Sequence, residues 1–225
     1  MKKITKYTIL LVVALTVMMA CKSESEKNYT EDITEVYQVK NENGESVRGP
    51  MTFSESDLID PEGRIVQHNF YNADGSFKGK EIFDLDPKSD KVLGSKYYDG
   101  LDSLLSYYKF VYKDAKLLRK IAFDASNDDM LRIESFEYDE KGRKRIKDVK
   151  SSDDVTQRRY VYTYDQDGNE NMVTIINPAG EIIFKENYQV TQVNEKLEWR
   201  ERWGLIDNKP SSYTLKSIRI LKRKI

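Results

Sequence analysis

The chain holds one cysteine, one histidine and five prolines in 225 residues. A single cysteine excludes a disulfide within the chain, and one imidazole leaves metal sites and histidine-based catalytic pairs resting on His68 alone. Excess charge of one sign is missing too. Against 38 Asp and Glu stand 37 Lys and Arg, a net charge of -1 that gives no footprint for nucleic acid. A mean hydropathy of -0.70 excludes a polytopic helical membrane protein. Gly-rich phosphate loops, serine nucleophile elbows and zinc-binding helices are absent from the sequence. The composition therefore predicts neither an enzyme nor a cofactor. What is abundant is tyrosine, 15 residues, which with so little proline and glycine leans towards β structure.

The one long apolar run is at the N-terminus. Lys2, Lys3 and Lys6 precede Ile9-Leu10-Leu11-Val12-Val13-Ala14-Leu15, and Val17-Met18-Met19-Ala20 leads into Cys21. The run is too short for the roughly 20 residues of a spanning helix and reads as a secretory signal over 1–20. Small Ala20 directly before the sole cysteine resembles the bacterial lipoprotein lipobox, with Met19 where a small residue is usual. The resemblance implies that Cys21 is lipidated and that the protein is held on a membrane, in an outer-membrane location, by acyl chains. Residues 21–30, including Lys22-Ser23-Glu24-Ser25-Glu26-Lys27-Asn28, are expected to form a lipidated start and flexible tether. Their acids resemble the surface-export signal of Bacteroidota lipoproteins, and a plain spacer on a periplasm-facing lipoprotein is the alternative.

Residues 31–225 read as one domain built on a repeat. Tyr112, Tyr138 and Tyr164 are 26 residues apart, and Phe110, Phe136 and Tyr162 keep the same interval. Turn formers follow each tyrosine: Lys113-Asp114-Ala115-Lys116, Asp139-Glu140-Lys141-Gly142 and Asp165-Gln166-Asp167-Gly168. A second series falls between them, through Ala73-Asp74-Gly75-Ser76, Asp99-Gly100, Asn127-Asp128, Asp153-Asp154 and Asn177-Pro178-Ala179-Gly180. Between turns, residues alternate with period two, as in Tyr160, Tyr162 and Tyr164, or Leu197, Trp199 and Trp203 among charged neighbours. The pattern predicts an all-β antiparallel meander of about a dozen strands, with the aromatics on one face. Burying that face requires a strongly curved sheet or a barrel. Four-residue turns would set Phe136 opposite Arg145, Glu134 opposite Lys147, Tyr108 opposite Ile121, Tyr160 opposite Val173 and Glu186 opposite Trp199.

Glu137-Tyr138-Asp139-Glu140-Lys141-Gly142-Arg143 and Tyr162-Thr163-Tyr164-Asp165-Gln166-Asp167-Gly168-Asn169 resemble the YD (RHS) repeat, whose Tyr-Asp-x-x-Gly element closes a β-hairpin. The resemblance implies stacked hairpins in a curved sheet and names no activity. Phe70-Tyr71-Asn72-Ala73-Asp74-Gly75-Ser76-Phe77-Lys78 resembles the MORN-type hairpin of small antitoxin-like proteins.

Residues that could carry chemistry are sparse. His68 is expected to be a solvated strand residue, and Asp165-Gln166-Asp167-Gly168 a turn rather than a calcium loop, because its glycine falls too early. The aromatic ladder is expected to pack as core. Of the paired rings, Tyr97 and Tyr107, with Trp203, form the candidate contact surface for a protein or glycan ligand. The function that fits is a non-enzymatic, lipid-anchored binding or scaffold module of the cell envelope. The alternatives are an immunity or antitoxin-like protein that binds a toxin, and a carboxylate-dependent hydrolase.

Overall fold

A computed structural model describes residues 26–89, 91–195 and 198–224. The leader, Cys21 and residues 22–25 lie outside the described residues, as do Lys196 and Leu197. Fourteen strands follow in order: β1 (Glu26–Glu42), β2 (Glu45–Ile59), β3 (Ile65–Tyr71), β4 (Phe77–Leu85), β5 (Val92–Asp99), β6 (Leu104–Lys113), β7 (Lys116–Asp124), β8 (Met130–Tyr138), β9 (Lys144–Ser151), β10 (Thr156–Tyr164), β11 (Glu170–Ile176), β12 (Ile182–Val193), β13 (Trp199–Ile206) and β14 (Lys209–Lys224). Each pairs antiparallel with the next, and β14 returns to β1, so the meander is a closed barrel without free edges. The closing ladder runs from Glu26 opposite Lys224 to Gln38 opposite Ser212. The strand therefore starts inside the segment expected to be a tether, and Lys222 to Lys224 continue the last strand. Ladder hydrogen bonds between two long backbones need no apolar side chains, which is why composition placed Glu26 to Thr30 in the tether.

The turns explain the beat of the sequence. Asp139 N donates to Arg143 O, Gly142 N to Asp139 O, and Arg143 N to Asp139 Oδ1 at 2.8 Å. This is a type I turn closed by a left-handed glycine, Gly142 at φ 80°. Asp60 with Arg64 repeats it, Arg64 N lying 2.8 Å from Asp60 Oδ1, and so does Asp165 with Asn169 at the same distance. Three other reversals are tight two-residue turns with both residues left-handed: Asn43-Gly44, Asp114-Ala115 and Asp207-Asn208.

Because the Asp side chain recruits a fifth residue, the loops are one longer than expected, and a bulge beside each adds another shift. Phe136 faces Lys147 rather than Arg145, and Glu134 faces Val149 rather than Lys147. Tyr160 likewise faces Ile175 rather than Val173, whereas Tyr108 faces Ala122, one place beyond Ile121, because the turn at Asp114-Ala115 has the expected length and only a bulge at Val111 and Tyr112 shifts the ladder. Glu186 pairs with Val173, while Trp199 pairs with Val193, because the turn at Asn194 to Glu198 falls later than the repeat would place it.

A shift of two preserves which side a residue faces. Phe110 lies opposite Lys120, Lys120 opposite Glu134, Phe136 opposite Lys147 and Lys147 opposite Tyr160, so Phe110, Phe136 and Tyr162 share one side as expected. That side is concave. Lys120 Nζ on β7 lies 2.7 Å from Glu81 Oε1 on β4, across three strand spacings that would total about 14 Å in a flat sheet. The aromatic side therefore lines the lumen.

The expectation of an apolar core is corrected. Among the described residues the buried apolar side chains are Leu58, Ala122, Ile133 and Val173, whereas the buried polar set is larger and includes Glu31, Ser56, Glu81, Asp148 and Glu186. Small side chains are covered by the long stems and rings of adjacent strands, and the rings are packed by cations.

Candidate functional site

The repeating tyrosine holds the hairpins together. Tyr138 Oη donates to Leu117 O at 3.0 Å, and Tyr164 Oη to Lys144 O at 2.6 Å. A cation from the preceding hairpin covers each ring: Lys91 over Tyr112 at 5.9 Å, Lys116 over Tyr138 at 5.7 Å and Arg143 over Tyr164 at 4.5 Å. Deeper in the lumen the same pairing recurs. Lys120 lies 4.1 Å from Tyr108, Lys147 4.2 Å from Tyr160, Lys144 4.7 Å from Tyr162, and Arg202 3.7 Å from Tyr188 and 4.2 Å from Trp199. Strand alternation produces this lattice, since one side of each strand carries aromatic and basic residues together.

Burial raises the phenol pKa of Tyr162 and Tyr188, with glutamates nearby adding to the effect, so both stay neutral donors. Burial likewise raises Glu170 and lowers Arg202, whose Nε is buried without a hydrogen-bond partner. Lys144 and Lys147 are held below ordinary lysine values, by burial first and then by basic neighbours.

The charges are sorted round the ring. Arg132 on β8, Lys144 and Lys147 on β9 and Arg158 on β10 face the lumen with Glu134 as the acid among them. Seven strands away, the farthest that a ring of fourteen allows, the lumen side carries Asp32 on β1 with Glu55 and Asp57 on β2. His68 on β3 sits between the last two, Nδ1 2.6 Å from Asp57 Oδ1 and Nε2 3.5 Å from Glu55 Oε2, and edge-on to Phe70. Burial works against its charge, yet the hydrogen bonds and charges of Asp57 and Glu55 prevail and raise its pKa to about 9. His68 is therefore a paired lumen cation and not a solvated strand residue. The two carboxylates converge on it instead of on an open cleft.

On the basic wall a recess of about 630 Å³ is lined by Arg132, Glu134, Lys147, Arg158, Tyr160 and Pro178. Its size lies within the range of small-molecule sites. Among the described residues no group of three or more His, Cys, Asp or Glu gathers in a metal-binding arrangement.

The three rings singled out in the sequence do not meet. Tyr97 turns into the lumen, 5.7 Å from Phe70. Tyr107 is outside, stacked on Phe123 at 5.0 Å, and borders a groove of about 540 Å³ with Ile82, Lys96 and Tyr98. Trp203 is also outside, on β13, edge-on to Tyr213 at 4.9 Å, with Arg48 over Tyr213 and Tyr37. The lumen cations carry no motif of their own, and only alternation from Phe136 and Tyr160 assigns Glu134, Arg132 and Arg158 to the aromatic side.

The chain matches no family model and no curated protein. Solved structures that align with it include a porin-like protein from Bacteroides uniformis, at 10% identity and TM-score 0.43, over 86% of this chain and 96% of that one. The Photorhabdus luminescens Tc holotoxin pore aligns at 12% identity and TM-score 0.31, over 72% of this chain and 9% of that one. The TcdB2-TccC3 complex without its hypervariable C-terminal region aligns at 11% identity and TM-score 0.31, over 81% and 11%. The chain thus spans about a tenth of the Tc toxin chains it matches.

Proposed function

We propose that the protein is a lipid-anchored, non-enzymatic binding barrel of the cell envelope, tethered at Cys21 and using its lumen as the ligand face. The observation that carries this reading is that both walls are charged. Outward, Lys96, Lys109, Arg119, Arg159 and Lys185 are exposed on five strands. Each such cation would cost about 2–4 kcal/mol at the bilayer midplane, so the barrel is suited to water and an anchor must hold it at the membrane. Inward, neutral phenols, cations and a recess give what a ligand site needs. In a Gram-negative host the wild type should incorporate labelled palmitate and the Cys21→Ala variant should not. Exchanging residues 1–21 for an ordinary cleavable leader should yield a soluble periplasmic protein. Retention of that exchanged form in carbonate-washed membranes would show that the strands themselves span the bilayer.

A further inference from the structure

We infer that the recess on the β8–β10 wall binds an acidic saccharide, with its carboxylate or sulfate held by Arg132, Lys147 and Arg158. The inference rests on the lumen being the ligand face and names what that face takes. Three cations, Arg132, Lys147 and Arg158, line the recess against one carboxylate, Glu134. Arg132 meets Glu134 at 3.3 Å, whereas Lys144 and Lys147 lie over tyrosine rings and Arg158 has no ion pair within 4.0 Å among the described residues. Confining like charges on one wall costs energy that an incoming anion offsets, and the planar guanidinium fork suits two oxygens of a carboxylate or sulfate. The burial that depresses Lys147 describes the same cost.

The rest of the lining fits a sugar. Tyr160 and Pro178 present ring surface, and Gln157 offers an amide that can donate and accept. The recess lies on the lumen side at the rim, beside the turns at 151–155 and 177–181, and its volume is that of a small-molecule site.

The test is calorimetric titration of the full lipidated chain in neutral detergent with a uronate trisaccharide, a neutral trisaccharide, inorganic sulfate and a short polyglutamate. The uronate should bind and the neutral sugar should not. Lys147→Gln and Arg158→Gln should each weaken binding by about tenfold, equivalent to roughly 1.4 kcal/mol. Glu134→Gln should tighten it several-fold, which no mere loss of structure would do, and Lys96→Gln on the outer wall should leave it unchanged. Affinity should also fall as pH rises through the lowered lysine range. Equal binding of neutral and acidic sugars, indifferent to Lys147→Gln, would overturn the inference and leave lumen binding intact. Sulfate or polyglutamate binding as tightly as the uronate would overturn the saccharide assignment. Binding of none of the four would overturn the inference. If shared ring-current or fluorescence changes at Trp199 were then absent with every envelope glycan tried, the ligand-face reading would fall too.

Discussion

Single side chains in this protein work through ions and hydroxyls more than through apolar area. Tyr164→Phe removes only the hydroxyl that donates to Lys144 O. It should lower unfolding free energy by about 1 kcal/mol, the usual net worth of one hydrogen bond, as read from urea denaturation. Tyr138→Phe, which loses the equivalent bond to Leu117 O, should behave alike, since the two are the same part of successive repeats. The sole imidazole gives a pH prediction with a defined sign. His68 has a folded pKa of about 9 against an ordinary value of 6.5. Its protonation then stabilises the fold fully below about pH 6.5, and the contribution disappears as pH rises through about 9. An NMR titration of the His68 ring should show a midpoint near the upper value, and Asp57→Asn should move it down. A midpoint at the ordinary value would mean that the Asp57 contact does not persist in solution. None of this was legible locally, because His68 takes its charge partners from the neighbouring strand.

At the scale of the element, turns and strands differ in what they tolerate. Gly142 is left-handed and a Cβ there would meet nothing within 4 Å, so Gly142→Ala costs only backbone strain, roughly 1 kcal/mol. Gly204 is the opposite case. It faces the lumen in mid-strand, and an added Cβ would collide with the Glu186 carboxylate and the Ser212 hydroxyl. Glu186 also accepts from Ser211 and Ser212 at 3.0 and 2.8 Å, so Gly204→Ala must break that cluster and should destabilise more than Gly142→Ala in the same denaturation series. The sequence disclosed the turns well, because Asp, Asn and Gly are there for local reasons that composition records. Register was less legible. Whether Asp139 captures the N–H of Arg143, and whether a bulge follows at Glu137 and Tyr138, depends on geometry that residue types alone leave open. Even so, the error was two residues in the hairpins at Asp139 and Asp165, and the sharing of one side by Phe110, Phe136 and Tyr162 survived.

For the whole molecule, closure is the feature that leaves no strand edge free among the described residues. β14 pairs with both β13 and β1, and Thr214 lies opposite Arg202 on one side and Val36 on the other. Thr214→Pro removes a ladder donor in mid-strand and should cost about 3 kcal/mol or more, with opened edges revealed as dye-binding aggregates in light scattering. An isolated change at exposed Lys185 should leave the same assays unaltered. Closure was legible only as one of two ways to bury the aromatic side, a strongly curved sheet or a barrel. It depends on the matched lengths of two strands nearly two hundred residues apart, whereas the hairpins depend on neighbours. The sorting of lumen charge was hidden for the same reason, since its partners come from strands two or three places along. A ring has no privileged first strand. Because Glu26 and Lys224 stand side by side, a short Gly-Ser bridge between them, with new termini cut at Lys141, should yield a circularly permuted protein that refolds to the same barrel.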